Sequence, residues 1–160
     1  MDTLIPIAAE IGERLKARGE TVAISESSAG GLISAALLAV PGASAFYRGG
    51  AVVYTPAAFK GLMRLTREDL QGHRSATEPY ALILARTARE RMRADWGLCE
   101  TGASGPDGNG YGDAAGHVCC GLVGEGAERS VTLETALTNR VENMHLFARE
   151  ALMLLRDTLD

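Results

Sequence analysis

The stretch TVAISESSAGG, residues 21–31, decides the fold. Its first five residues, 21–25, form a short run of the kind that predicts a fully buried strand. The small and polar residues 26–31 follow at once, and the apolar residues after them, 32–39, are typical of a helix. A buried strand that turns directly into a helix indicates an α/β domain.

The elements on either side of this unit alternate in the same way. Helices are expected over 4–15 (ended by Gly19), from Pro56, over 77–92 and over 140–159, and strands over 45–54, 96–99, 117–123 and 129–133. This order predicts a three-layer α/β/α fold with a mixed, mostly parallel sheet. We expect residues 1–160 to form a single domain, because their number suits one hydrophobic core.

Composition and charge exclude several classes of function. The formal net charge is −4 and no block of Lys or Arg interrupts it, which argues against nucleic-acid binding. No apolar run reaches the roughly 20 residues that span a bilayer, so no membrane partner is expected. The first residues also lack a signal-peptide pattern, which favours a cytoplasmic location.

The three cysteines, Cys99, Cys119 and Cys120, suggest no redox or zinc motif, because no C-x-x-C spacing occurs. His117 and Cys119 would share one face of a strand, and Cys99 could lie nearby, so a metal site is conceivable on paper. Buried apolar thiols are the commoner state of free cysteine, and we therefore expect no metal.

Two segments could carry chemistry. The turn at 26–31 would place a serine and backbone N–H groups at a helix N-terminus, which suits a nucleophile, a phosphate or an oxyanion. Alternatively, Ser27 or Ser28 only caps the helix, and the glycines only permit close packing. The loop over 101–116 contains six glycines but matches neither a P-loop nor a Rossmann fingerprint, so it is either a ligand loop or a solvent loop.

Isolated charged residues have two interpretations each. Lys60, in the helix after Tyr54, could serve as the base for a serine if burial lowers its pKa, or it could be an exposed lysine. Arg140 could clamp a phosphate or lie on the surface. The three histidines, His73, His117 and His145, form no recognisable triad with a carboxylate.

Five segments together resemble the C-terminal domain of the CinA family, whose stand-alone members include nicotinamide-nucleotide amidases. The segment 26–31, E-S-S-A-G-G, is similar to the family's E-S-C-T-G-G, and 41–46, P-G-A-S-A-F, to its P/A-G-S-S-A-W/F. Residues 49–55 are similar to G-G-V-V-x-Y-S/T, 77–79 to S-E-P/E, and 101–108 to T-G-I-A-G-P-D/G-G. The resemblance covers nearly the whole chain, in order and at similar spacing.

The resemblance implies hydrolysis of the carboxamide of nicotinamide mononucleotide to nicotinic acid mononucleotide and ammonia, with no metal or organic cofactor. It implies Ser27 as the nucleophile, assisted by Lys60 or Tyr54. The remaining residues that it assigns, to substrate binding, are Glu26, Ser28, Gly30, Gly31, Thr101, Gly102, Ser104, Gly105 and Arg140. A small-molecule nucleotide and further copies of the same chain, in a homo-oligomer, are the partners it implies. Longer members carry a further N-terminal domain, which we expect to be absent because the chain begins at the first helix.

Four departures from the family pattern affect this site. The family's lysine falls at Phe59, and Lys60 comes one residue later, a rotation of about 100° on a helix. Ser28 and Ala29 replace Cys and Thr, D-A-A-G-H-V at 113–118 replaces K-P-V-G-T-V, and Met144 replaces a second arginine. The alternative function is therefore a silent or altered paralogue that binds a nucleotide-like ligand or a protein partner in the same pocket.

Overall fold

The computed structural model describes all 160 residues and contains one five-stranded sheet in the order β2-β1-β3-β4-β5. The strands are β1 (Val22–Glu26), β2 (Tyr47–Val52), β3 (Trp96–Ala103), β4 (His117–Gly124) and β5 (Ala127–Glu134). β1 pairs in parallel with β2 and β3, whereas β4 is antiparallel to both β3 and β5. Four of the five strands therefore run in one direction, and the predicted mixed, mostly parallel sheet is confirmed.

Helices cover both faces of this sheet. They are α1 (Ile5–Arg18), α2 (Leu32–Leu38), α3 (Pro56–Ala58), α4 (Glu78–Arg91) and α5 (Arg140–Thr158). α1, α2 and α5 share one core with alternate strand residues such as Ile24 and Leu122, while α4 shares the other with Ala23 and Cys119. This alternation follows from the two-residue period of a strand. No helix is long and apolar enough to span a membrane.

Element boundaries differ from the sequence-based prediction in two places. β3 continues to Ala103 instead of ending near Cys99, because β4 pairs with it as far as the Ala103–His117 position. The helix after Thr55 keeps its α form for only three residues and continues as a π-helical turn, Phe59–Met63. Near the start of α5, Val141 is 63% exposed, whereas Asn143 is buried.

α4 packs unusually close to the sheet because glycines face it. A Cβ atom on Gly97 of β3 would lie 1.9 Å from the Ala85 carbonyl oxygen, and one on Gly121 of β4 would lie 2.7 Å from the Ala81 carbonyl carbon. Both distances are far inside van der Waals contact. The missing side chains therefore set how near α4 lies to the strands that carry the site described below.

Replacing Gly97 with alanine should destabilise the protein by roughly 1–3 kcal/mol, because α4 must move away from β3. Urea unfolding measures this change. Gly61→Ala is the control, since a Cβ there meets nothing within 4 Å. Equal midpoints for the two variants would show that the close approach of α4 has no energetic consequence.

Candidate functional site

A cavity of about 700 Å³ opens at the carboxyl ends of the three parallel strands. β1 has a parallel neighbour on each side, and this arrangement is where open α/β sheets form a ligand crevice. Ser27 follows β1, Tyr54 follows β2, and Thr101 and Gly102 belong to β3, and all four line the cavity. Six further wall residues are aromatic or basic: Phe59, Arg67, His73, Arg74, Tyr80 and Tyr111.

Glu26 fastens the turn between β1 and α2 from inside the protein. Its buried carboxylate accepts hydrogen bonds from the N–H groups of Gly31 (2.9 Å), Ile33 (3.1 Å) and Ser34 (2.8 Å). The Ser34 hydroxyl donates a fourth, at 2.5 Å. A carboxylate at this place satisfies the unpaired N–H groups of a helix start and its partial positive charge. Glu26 is thus a helix cap and does not line the cavity.

Glu100 fastens the same turn from the neighbouring strand, and the sequence analysis did not identify it. Its carboxylate accepts hydrogen bonds from the N–H groups of Ser27 (3.0 Å) and Ala29 (2.8 Å) and from the Ser28 hydroxyl (2.5 Å). Burial raises the pKa of the Glu100 carboxyl, and the charge of Glu26 raises it further, while the three hydrogen bonds act in the opposite direction. Two buried carboxylates therefore support one turn.

These contacts leave two polar groups of the turn without a partner in the chain. The N–H groups of Ser27 and Ala29 bond to Glu100, that of Gly30 to the Ser27 carbonyl oxygen (3.1 Å), and that of Gly31 to Glu26. The Ser28 N–H and the Ser27 hydroxyl make no such bond. Ser27 lines the cavity, whereas the Ser28 side chain is buried on Glu100. The turn can therefore present one hydroxyl and one amide donor to a ligand.

Tyr54 and Arg140 meet at the cavity mouth, as the resemblance implied for two residues of one site. Arg140 donates a hydrogen bond from Nη2 to the Tyr54 hydroxyl (3.1 Å) and one from Nη1 to the Gly105 carbonyl oxygen (2.6 Å). A phenol that accepts from a guanidinium is free to give its own proton away. The pair thus links the end of β2 to the glycine-rich loop and to the start of α5.

Lys60 does not reach the cavity. Phe59 lines the cavity and Lys60 lines an adjoining groove, so the one-residue offset seen in the sequence is also an offset in space. The π-helical turn that begins at Phe59 does not bring the lysine back. The structure therefore does not support Lys60 as the base for Ser27, and no other lysine lines the cavity.

Residues 72–76, which we call the strap, precede α4 and line one side of the cavity. Ala76 is its last residue, and both its N–H and its carbonyl group are hydrogen-bonded. Its N–H donates to Thr101 Oγ1 (3.1 Å), and its carbonyl oxygen lies 2.9 Å from His117 Nε2. Ala76 has a φ of 57°, a left-handed value that costs a non-glycine residue energy and persists only where the surroundings impose it. Thr101, predicted to bind substrate, thus also shapes the wall.

His117 lies between hydrogen-bond acceptors. Nδ1 bonds to the Glu134 carboxylate, and Nε2 faces both the Ala76 carbonyl and, at 3.9 Å, the Asp113 carboxylate. Because both ring nitrogens must donate, the charged imidazolium fits the site best. Burial opposes that charge, but the bonds to Glu134 and Ala76 and the attraction of Asp113 raise the pKa of His117.

The altered segment at 113–118 supplies a new ion pair to the cavity wall. Arg74 forms a bidentate salt bridge with Asp113, at 2.7 and 3.0 Å, and the Arg74 guanidinium carbon lies 5.0 Å from the centre of the Tyr111 ring. Asn109 Nδ2 donates to the same carboxylate at 2.7 Å. The long glycine-containing loop is therefore tied to the strap before α4 and lines the ligand cavity.

The remaining predicted residues shape the backbone around the cavity. Gly30 and Gly31 have φ values of 67° and 98°, which let the chain turn sharply into α2. Met144 of α5 packs on this turn, since a Cβ on Gly30 would lie 2.9 Å from its terminal methyl group. Ser104 is buried and its hydroxyl has no partner, while its carbonyl oxygen accepts from Asn143 Nδ2 at 2.9 Å.

The cysteines are buried free thiols, as predicted. Burial raises the pKa of all three, which keeps them protonated and unreactive. The structure gathers no group of three or more His, Cys, Asp and Glu side chains that could hold a metal ion.

Comparison with known proteins identifies relatives along the whole chain. A family model described as the CinA C-terminal domain matches residues 4–159. A CinA-like protein from Nostoc sp. is 34% identical over 163 residues, covering 96% of this chain and 38% of that protein. A CinA-like protein from Anaeromyxobacter sp. is 40% identical over 144 residues, covering 89% and 35% respectively. The chain thus spans less than half the length of these curated relatives.

Solved structures agree with the fold over nearly its full length. The competence-damaged protein (CinA) superfamily protein from Escherichia coli superposes with a TM-score of 0.88 at 28% identity, covering 97% of this chain and 90% of that one. The competence/damage inducible protein CihA from Agrobacterium tumefaciens gives a TM-score of 0.88 at 27% identity, covering 98% and 94%.

Glu100→Gln should make the protein more resistant to unfolding as pH rises, relative to the native chain. A carboxyl whose pKa is higher in the folded state stabilises when protonated, and it loses that advantage as pH rises through the folded-state pKa. The glutamine amide keeps the same shape, accepts from the two N–H groups and can donate to Ser28. The difference in free energy of unfolding, from urea titrations between pH 4.5 and 8, should grow by up to about 1.4 kcal/mol per pH unit. Glu13→Gln, at an exposed position, controls for surface charge, and a constant Glu100→Gln difference would contradict the argument.

His117→Gln should destabilise the protein most at low pH. Since the folded-state pKa of His117 is raised above its ordinary value of about 6.5, its stabilisation is complete below that value and disappears as pH rises through the folded-state pKa. Unfolding midpoints at pH 6 and pH 9 test this. His73→Gln, at an exposed position, is the control, and a gap that widens at pH 9 would show that His117 is neutral in the fold.

Proposed function

The chain belongs to the CinA C-terminal domain family, and from that premise we propose that it hydrolyses the carboxamide of nicotinamide mononucleotide. The products are nicotinic acid mononucleotide and ammonia. One observation carries the proposal: the Ser27 hydroxyl, free of bonds within the chain, lines an aromatic cavity at the carboxyl ends of three parallel strands. The reaction consumes one water and leaves the protein unchanged.

Ser27 is the nucleophile of this proposal. Its Oγ attacks the carboxamide carbon and forms a tetrahedral adduct, and the unpartnered Ser28 N–H is the backbone donor for the negative oxygen. The C–N bond then breaks, the departing nitrogen takes the proton that Ser27 lost, and ammonia leaves. Water hydrolyses the resulting ester and restores the hydroxyl. Glu26 and Glu100 act in this scheme only by holding the turn in place.

Tyr54 is the residue that moves the proton in this proposal, in the role that Lys60 cannot fill from its groove. It lines the cavity with Ser27, and its oxygen accepts a hydrogen bond from the Arg140 guanidinium, which leaves the Tyr54 O–H available to donate elsewhere. Tyr80 also lines the cavity, but burial raises its pKa and keeps that phenol protonated. Tyr54 is therefore the better carrier.

The wall suits a positively charged aromatic ring. Tyr54, Phe59, Tyr80 and Tyr111 offer ring faces and edges to a flat heterocycle. The nicotinamide ring of the mononucleotide is a pyridinium cation, which aromatic faces attract.

A second function has one observation in its favour, which is the absence of a lysine from the cavity wall. In that alternative the chain is a paralogue that binds a nucleotide-like ligand, or a protein partner, in the same cavity without hydrolysing it. A cytoplasmic location and assembly into a homo-oligomer are parts of either proposal.

Ser27→Ala should abolish ammonia release from nicotinamide mononucleotide, a loss of at least about a thousandfold, because the covalent step has no substitute. A coupled ammonia assay measures it. Ser44→Ala removes an exposed hydroxyl at the opposite end of β2 and should keep full activity.

Two outcomes would contradict the proposal in different ways. Activity that survives Ser27→Ala removes Ser27 from its role. No turnover by the native chain, together with a thermal shift on adding the nucleotide, favours the binding-only alternative.

A further inference from the structure

A second concavity adjoins the main cavity and has a volume of about 540 Å³. Its lining consists of seven residues: Pro56, Phe59, Lys60, Arg64, Leu65, Thr66 and Arg67. Three of these, Pro56, Phe59 and Arg67, also line the main cavity. The two spaces are therefore continuous, with Phe59 and Arg67 at their shared boundary. We call the second one the basic groove.

The basic groove has cations and no carboxylate in its lining. Lys60, Arg64 and Arg67 are exposed, and none of them makes a side-chain hydrogen bond or an ion pair with the rest of the chain. Five other arginines of this protein do form ion pairs: Arg14, Arg18, Arg74, Arg86 and Arg156. The feature that distinguishes Lys60, Arg64 and Arg67 is that all three line one concavity, in a chain whose net charge is −4.

The two carboxylates that follow the groove in the chain, Glu68 and Asp69, form no ion pair with these cations. Asp69 accepts hydrogen bonds from the N–H of Thr66 (2.7 Å) and from its hydroxyl (2.8 Å), and these bonds lower the pKa of Asp69. Its carboxylate thus closes the turn that follows the groove instead of pairing with Lys60, Arg64 or Arg67.

The backbone holds the cations in place at a local cost. Residues Phe59–Met63 form a π-helical turn, a rare form that is frequently found at functional sites. Arg64, directly after it, has a φ of 49°, which is unfavourable for a residue with a side chain. Met63 is buried and anchors the turn between them.

We propose that the basic groove is an anion subsite that binds the phosphate of a ligand whose ring occupies the main cavity. The inference rests on the proposed function for the identity of that ring. A phosphate monoester carries between one and two negative charges and accepts the paired N–H groups of arginine in a bidentate manner, while a lysine adds a point charge. Arg67, on the boundary, contacts the phosphate first, and Lys60 and Arg64 lie deeper in the groove.

This subsite gives Lys60 a role in binding instead of proton transfer. Arg140, which the sequence also offered as a phosphate clamp, already donates to Gly105 and Tyr54. Lys60, Arg64 and Arg67 make no such hydrogen bonds within the chain. Recognition of the phosphate therefore lies on the side of Phe59 away from Ser27, and the ring is held between the two.

The test compares two ligands that differ only in the phosphate, nicotinamide mononucleotide and nicotinamide riboside. Titration calorimetry on native protein should show the nucleotide binding at least about tenfold more tightly, since a charge-assisted contact has about that effect. In the variant Lys60→Gln/Arg64→Gln/Arg67→Gln the ratio should fall close to one, while the affinity for the riboside stays the same. These side chains make no hydrogen bond or ion pair within the fold, so the melting temperature should change little.

A matched control separates a local site from the overall charge. Lys16→Gln/Arg91→Gln/Arg149→Gln removes three exposed cations elsewhere and should preserve the ratio. A ratio that survives in the groove variant overturns the proposal, and so does an equal loss in the control variant.

Failure of the proposed function is recognisable in the same experiment. If neither nicotinamide compound binds the native protein, the assigned ring is wrong, and inorganic pyrophosphate then tests the groove alone. Pyrophosphate binding that disappears in the groove variant and persists in the control supports the subsite. No pyrophosphate binding to the native chain overturns it, and so does a single-stranded oligonucleotide that binds the groove while pyrophosphate does not.

Discussion

The site depends on two buried carboxylates that hold one turn from neighbouring strands. Glu26 is the last residue of β1 and Glu100 lies within β3, and between them they accept seven hydrogen bonds, all from residues 27–34. Removing charged groups from water is unfavourable unless their oxygens are well satisfied, which explains why both carboxylates are so fully bonded. Since the same bonds occupy most of the turn's donors, they also determine that the Ser27 hydroxyl and the Ser28 N–H remain for a ligand.

The distribution of charge around the cavity follows from this arrangement. The turn with Ser27 lies at one side, aromatic rings line the middle of the cavity, and unpaired cations line the basic groove beyond Phe59. A ligand that matches this order has a cationic ring near Ser27 and an anionic tail beyond the ring. Arg74 does not disturb the order, because Asp113 pairs with it and leaves its face to Tyr111. The arrangement of charges would therefore orient such a ligand in the cavity as well as contribute to its affinity.

Sequence reasoning predicted the fold and the strand-to-helix turn at 26–31, but not the carboxyl group of Glu100 that supports this turn. Buried strands, caps and glycines are local signals, so the turn at 26–31 and the helix start at Thr55 were recognisable. Glu100 was missed because a single acidic residue after an apolar run resembles the end of a strand. Only the pairing of β3 with β4 shows that the strand continues and that Glu100 points into the turn. In the sequence, the position of Glu100 directly before Thr101 and Gly102 was the one signal that pointed to it.

Lys60 and His117 illustrate what the spacing of residues can predict and what it cannot. The offset between Phe59 and Lys60 was visible in the sequence and was correct in space, because one residue on a helical turn changes the face whatever lies around it. His117 looked isolated, since Asp113, Glu134 and Ala76 come from a loop, a strand and a strap that only the tertiary fold brings together. The spacing of residues therefore predicts local geometry, but it does not predict networks of charged groups that the tertiary fold assembles. The proposed role of Ser27 as nucleophile rests on local geometry. Its activation depends on the groups that the fold brings around it, and Tyr54 with Arg140 is the pair among them that we assign to proton transfer.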